Sequence, residues 1–199
     1  MDADTKLCVA WMVGGRDAGA AHAFVHDLSE RLANRVQLTT GGHKVCLTAV
    51  ESDFGADIDD AMLVKIYGND RKSDARCSPA ESINCKPIAI TGTPDPKHFS
   101  TSYVERQNLT MRRGMRSFTR LTNAFSKKVE NHAYAIALHF MYYNFCRVLQ
   151  TLRVTPAMQT GIADHAWNME EIIELLDDKT ERPGPRGPLT KREFHTDPY

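Results

Sequence analysis

Residues 35–67 read RVQLTTGGHKVCLTAVESDFGADIDDAMLVKIY, and their pattern decides the fold class. Arg35–Thr40 predicts a short strand, and His43–Val50 predicts a short helix. Ala61–Tyr67, AMLVKIY, is almost entirely apolar and predicts another strand. Strands that alternate with helices indicate a parallel α/β sheet.

The residues upstream extend this alternation. Lys6–Val13, KLCVAWMV, is a mostly apolar run that ends at Gly14-Gly15 and predicts a strand. Asp17 is placed to cap a helix that continues to Ala33. Apolar residues recur along that helix at three- and four-residue steps, namely Ala21, Phe24, Val25, Leu28 and Leu32.

The first residues predict a turn. Asp2-Ala3-Asp4-Thr5 is turn-forming sequence directly before a predicted strand, as in the middle of a β-hairpin. The first strand of that hairpin would precede Met1. We therefore expect a chain that starts partway into a domain, with an ordinary short N-terminus as the alternative.

Downstream, the pattern changes from α/β to helical. Residues 68–99 contain several Pro and Gly and predict a long loop with little regular structure. Helices are predicted at 101–128, at 130–149 and near 168–178, and the Pro/Gly-rich tail 179–199 is predicted to be disordered. The expected organisation is a core over 1–150, a helical extension over 151–178 and the tail.

Composition excludes some classes of protein. The chain has 199 residues, 42% of them hydrophobic, which is enough for one domain with a sizeable core. No apolar run is long enough to span a bilayer, and the first residues do not resemble a secretory leader. The five cysteines are an odd, scattered set, typical of reduced thiols. We expect a cytoplasmic protein with no membrane partner.

The balance of 25 basic against 25 acidic residues conceals two segregated blocks. Glu51–Asp60 carries five acids and no base, whereas Lys97–Lys128 carries eight bases and one acid, Glu105. A lone carboxylate among cations is either an ion-pair partner or a metal ligand held beside bound phosphates. The spacing alone leaves both alternatives open.

The helix predicted over 101–128 has two faces. An apolar stripe is expected to face the core, and it comprises Val104, Met111, Met115, Phe118, Phe125 and Val129. A basic outer face suits a polyphosphate backbone, and the DNA-binding candidates are Arg106, Arg112, Arg113, Arg116, Arg120, Lys127 and Lys128.

A family resemblance covers residues 2–175. The run STSYVERQNLTMRRGMRSFTRLTNAFSKK, residues 100–128, closely resembles the last catalytic motif of DDE transposases from small bacterial insertion sequences. The similarity extends through DADTKL, VGGRDAGAA, LANRVQLTT and PDPKH upstream and through YNFCRV and TLRVTPAM downstream.

The resemblance implies a ribonuclease H-like core in which two Asp and one Glu bind two Mg²⁺ or Mn²⁺ ions for DNA cleavage and strand transfer at insertion-sequence ends. Glu105 matches the catalytic, metal-binding Glu. The second Asp of the family falls at Gly41, in TTGGH, and the first falls upstream of Met1. Leu149 stands where the family usually has His. We therefore expect a truncated core that lacks its first strands and is catalytically impaired.

Two alternatives follow from the same residues. The chain could be a non-catalytic remnant that binds DNA without regard to sequence, or that joins a second copy or intact transposase subunits. It could also be a metal-dependent nuclease that combines Glu105 with Asp53, Asp57 or Asp59. The pairs His22/His26 and Cys77/Cys85 lack the sequence context of metal sites and are interpreted as surface histidines and free thiols.

Overall fold

In this computed structural model, the described residues are 1–67, 82–119, 123–124 and 126–177. Within them the chain is a mixed α/β protein with one small three-stranded sheet and six helices. The strands are β1 (Gln37–Gly41), β2 (Asp59–Tyr67) and β3 (Ser82–Thr91). The helices, in chain order, are α1 (Ala18–Glu30), α2 (Val45–Phe54), α3 (Ser102–Gly114), α4 (Val129–Met141), α5 (Pro156–Gln159) and α6 (Met169–Asp177).

Helix α1 begins where the sequence predicted. The Asp17 side chain accepts a hydrogen bond of 2.8 Å from the Ala20 N–H, which satisfies one of the free donors of the first turn. Its inner face contributes Val25 to a buried cluster with Ala49 and Val50 of α2 and with Ile58. This cluster forms the core that joins α1, α2 and the sheet.

The sheet has the order β1-β2-β3 and is mixed. β1 pairs with β2 in parallel, from Gln37 opposite Asp59 to Gly41 opposite Leu63, as the strand–helix–strand pattern predicted. β3 pairs with β2 in an antiparallel direction, so the prediction of a parallel sheet was wrong for this strand. The prediction of a loop over 68–99 was also wrong for 82–91, and residues 68–81 lie outside the described part.

The prolines of this region misled the prediction. Pro87 lies inside β3 opposite Leu63. Proline lacks the N–H that each residue of an inner strand donates to one of the two neighbouring strands. An edge strand tolerates proline where this N–H would face solvent. Within the described residues β3 is such an edge strand, and its side chains are mostly exposed.

Lys6–Val13 is not a strand, contrary to prediction. The turn before it is confirmed, since the Asp2 N–H donates to the Leu7 carbonyl and the Asp2 carboxylate accepts from the Thr5 N–H. Cys8 is instead held by the side chain of Asn144, which accepts from the Cys8 N–H at 3.0 Å and donates to the Cys8 carbonyl at 3.1 Å. An amide side chain thus takes the place of a neighbouring strand.

The two long helices are shorter than predicted. α3 ends at Gly114, where the backbone becomes extended at Met115, and Arg116–Phe118 forms a separate 3₁₀ turn. Glycine is a poor helix former, which favours this ending. α4 ends at Met141 and continues as a π-helical turn, Tyr142–Cys146, so it stops short of the predicted 149.

Only part of the apolar stripe predicted on the first of these helices faces inward. Val104 is 51% exposed and Val129 is 68% exposed, whereas Met111, Met115 and Phe118 are partly buried. The inner face of α3 contains Tyr103, Gln107 and Met111, of which Gln107 is buried. Phe125 lies outside the described residues.

The described chain divides into two compact units, Met1–Ala166 and Trp167–Tyr199. In the first, α5 is capped by Thr155, whose hydroxyl accepts from the Met158 N–H. In the second, α6 confirms the helix predicted near 168–178, and the predicted disordered tail falls outside the described residues. Among the residues that the structure describes, no helix is long and apolar enough to cross a bilayer.

We expect Asn144→Ala to lower the free energy of unfolding by about 1–3 kcal/mol, because it leaves both backbone polar groups of partly buried Cys8 unpaired. Urea denaturation measures this loss. Asn131→Ala, at an exposed position in the first turn of α4, is the matched control and should change stability little. Equal losses in the two variants would contradict the role given to Asn144.

Candidate functional site

Glu105 lies in the first turn of α3 and is about half-exposed. Its carboxylate forms an ion pair with Lys65 of β2 and accepts a hydrogen bond of 2.9 Å from the Thr101 hydroxyl. Lys65, and to a lesser degree Thr101, lowers the pKa of Glu105. Of the two interpretations that the sequence left open, the structure therefore places Glu105 in an ion pair.

Gly41, to which the resemblance assigns the position of a second Asp, is the last residue of β1. A Cβ atom added here would have no neighbour within 4 Å, so there is open space for a longer side chain. Gly41 is paired with Leu63, and Lys65 lies two residues further along β2. The register thus brings Gly41 and the Lys65–Glu105 pair to the same end of β1, separated by roughly 7 Å along β2.

The other acidic candidates are engaged elsewhere. Asp53 lies 3.1 Å from the Nδ1 atom of His26, whose other ring nitrogen is 3.7 Å from Glu30. Asp59 forms a two-pronged ion pair with Arg35, with the shorter distance at 2.8 Å. Arg35 is the main cause that lowers the pKa of Asp59 to about 2. Asp57 also lies near Arg35, at 3.7 Å.

These residues do not fit a pair of divalent cations. Within the described ranges, no group of three or more His, Cys, Asp or Glu side chains is arranged to hold a metal ion. Gly41 has no ligand atom, and the carboxylate of Glu105 is occupied by Lys65. Asp53, Asp57 and Asp59 do not join Glu105, so the geometry gives no support to the nuclease alternative.

The predicted DNA-binding residues that the structure describes are all exposed. We call this set of residues the basic surface, and its members are Arg106, Arg112, Arg113, Arg116, Lys127 and Lys128. Considering only residues with described placement, none of these side chains forms an ion pair or a hydrogen bond. Arg120 lies outside that set.

The arrangement of the basic surface differs from the predicted single helical face. Arg106 and Arg113 are seven residues apart on α3 and share one side of it. Because α3 ends at Gly114, Arg116 and Lys127 belong to the segments that follow and do not continue this row. Arg112 and Arg113 lie in the last helical turn, where cations also favour the helix dipole.

Two surface cavities, of about 380 and 490 Å³, lie away from these residues. The first is next to the start of α1, and the second lies between the Cys8–Met12 segment, α1 and α4. Neither is lined by Gly41 or Glu105. The candidate site is therefore an open surface at the end of β1.

Lys65 is the residue of this site that sequence reasoning missed. Its only signal was a single base inside the apolar strand AMLVKIY. A charged residue in such a strand needs a partner or an exposed position, but the sequence does not tell which distant residue supplies the partner.

The chain is a mixed α/β protein that carries an exposed basic surface beside an ion-paired glutamate. No protein-family model, no curated protein and no solved structure with which the chain was compared matches it.

We expect Lys65→Met to raise the pKa of Glu105 towards its ordinary value, because the cation that favours the carboxylate form is removed. A ¹³C NMR titration of the Glu105 carboxyl group measures this shift. Lys86→Met, at an exposed position on β3, is the matched control and should leave the titration of Glu105 unchanged. If the pKa of Glu105 is the same in the Lys65 variant as in the wild type, the ion pair is refuted.

Proposed function

We propose that this chain is a transposase chain of the DDE class, with a ribonuclease H-like core, that binds DNA through the basic surface and does not cut it. The observation that carries the proposal is the set of exposed cations on α3 and the following segments, none of them neutralised within the described chain. The similarity of residues 100–128 to the last DDE motif supports the class.

Unpaired arginines suit a phosphate backbone. The planar guanidinium group donates hydrogen bonds in a fork that matches a phosphate oxygen pair, and it stays charged at all physiological pH values. Each phosphate that a cation neutralises releases condensed counterions, which is why such binding weakens steeply with salt. Contacts of this kind carry no sequence information, so binding without sequence preference is expected.

The local topology is compatible with the proposed core. β1, α2 and β2 form a parallel strand–helix–strand unit, and β1 has only one neighbouring strand within the described residues. The resemblance expects a further strand on the other side of β1. That arrangement is part of the proposal.

The catalytic part of the proposal rests on three residues. Transfer of a phosphoryl group by two metals needs anionic oxygens that hold both cations within about 4 Å of each other. Gly41 supplies no oxygen, and Lys65 neutralises the carboxylate of Glu105. A cation would have to displace Lys65 and would then find no carboxylate at position 41.

We expect Arg112→Ser with Arg113→Ser to weaken binding of duplex DNA and to make its salt dependence shallower by about 1 to 2 in the slope of log Kd against log salt. Fluorescence anisotropy at several salt concentrations measures both effects. The chain should remain folded, because neither side chain has a partner in the described chain and the loss of their interaction with the helix dipole is small.

The control removes the same charge elsewhere. Arg16→Ser with Lys44→Ser deletes two exposed cations near the starts of α1 and α2. It should change the salt slope much less. If both double variants weaken DNA binding alike, net charge and not the basic surface accounts for it.

We expect the purified chain with Mg²⁺ or Mn²⁺ to nick supercoiled DNA no faster than its Glu105→Ala variant, because the loss of metal-binding carboxylates costs orders of magnitude in rate. Gel electrophoresis of nicked and closed circles measures the rates. Cleavage by the wild type that is absent in the Glu105 variant would show that the site is active.

A further inference from the structure

Asp60 is unusual because its carboxyl group is buried without a hydrogen-bond partner among the described residues. It lies near the start of β2 and is 1% exposed. Neither of its carboxyl oxygens has a hydrogen-bond partner among the described residues. The Ala61 N–H lies near enough to favour the charged form slightly, but not in hydrogen-bond geometry.

Among the described residues, no positive charge contributes to the pKa shift of Asp60. Its partners in the sheet are Leu38 of β1 and Thr91 of β3, neither of which titrates. The Cys46 thiol of α2 is the titratable group that faces it, and burial together with the Asp60 charge raises the pKa of Cys46. A carboxylate here would therefore be buried beside a thiol that resists ionisation.

An isolated buried charge is so costly that the group usually changes its protonation state instead. On burial, a neutral carboxylic acid loses less hydration free energy than a charged carboxylate does. Burial is accordingly the main cause that raises the pKa of Asp60.

We propose that the folded chain holds Asp60 as the neutral acid, so that folding takes up a proton and the protein loses stability as the medium becomes more alkaline. The proposal rests on the position of Asp60 in the middle strand of the sheet, where its carboxyl group has no partner among the described residues. The proposal is independent of DNA binding and of the family resemblance.

The sign of the effect follows from linkage. Asp60 has a higher pKa in the folded state than in the unfolded state, so its penalty is absent below its ordinary pKa and grows as pH rises through the folded-state value. Above the folded-state pKa, each unit by which the folded-state pKa of Asp60 exceeds its unfolded-state pKa lowers the folding equilibrium constant tenfold. The neighbouring Asp59 has the opposite sign, because Arg35 stabilises its charged form in the folded state.

The test compares four variants of the full chain, at Asp60, Asp59 and Cys46, by urea denaturation between about pH 4 and pH 8. Asp60→Asn keeps the shape of the side chain but removes its ionisable group. Asp60→Leu removes both the ionisable group and the polarity of the side chain. Asp59→Asn is the matched control from the next residue. The quantity measured is the difference in urea midpoint between each variant and the wild type at each pH.

For both Asp60 variants, the urea midpoint should increase relative to that of the wild type as pH rises. This difference should become constant above the folded-state pKa of Asp60. The midpoint difference of the Asp59 variant should change little over this range, because Asp59 is already charged in both states above its ordinary pKa. Cys46→Ala should retain the wild-type pH dependence, which would assign the proton to Asp60 and not to the thiol.

A ¹³C NMR titration of the Asp60 carboxyl group gives a readout that does not depend on how the variants fold. Titration above the ordinary Asp value supports the proposal, and titration at or below it overturns the proposal. Midpoint differences for both Asp60 variants that do not vary with pH would also overturn it.

Discussion

The pairing of β2 on both sides is the constraint on which the arrangement of this protein depends. Within the described chain β2 is the only strand with two neighbours, parallel β1 and antiparallel β3. Successive side chains of a strand point to opposite faces. Asp59 therefore reaches Arg35 at the surface while Asp60 enters the interior, and two adjacent carboxyl groups acquire opposite shifts in pKa.

The same strand connects the sheet to the candidate site. Lys65 lies on the exposed half of β2 and reaches Glu105 at the start of α3, so one ion pair joins the two elements. An exposed ion pair contributes little to stability, because water screens it and two flexible side chains must be ordered. Its effect is chemical: it neutralises the one carboxylate in a basic segment and leaves the surrounding surface positive.

Elements with strong local signals were predictable from the sequence. Asp17 and the apolar repeat after it predicted α1, and the run AMLVKIY predicted β2. The failures concern residues whose structure depends on distant partners. Lys6–Val13 has the composition of a strand but lies beside Asn144 and not beside another strand. β3 contains Pro87, which is acceptable only at the edge of a sheet, and sequence alone does not say where an edge is. For the site, the sequence identified Glu105 and the exposed basic residues, but not Lys65 or the burial of Asp60.

DNA binding and DNA cleavage place different demands on a surface, which is why one can outlast the other. Cleavage by two cations requires a few anionic oxygens fixed to within a fraction of an ångström, so under the proposed function a glycine at position 41 would leave one ligand position empty. Backbone binding sums many weak contacts from cations whose exact positions matter little. Arg106, Arg112 and Arg113 need only remain exposed and unpaired. Under the proposed function, a chain without the geometry for catalysis would still be attracted to DNA by these cations.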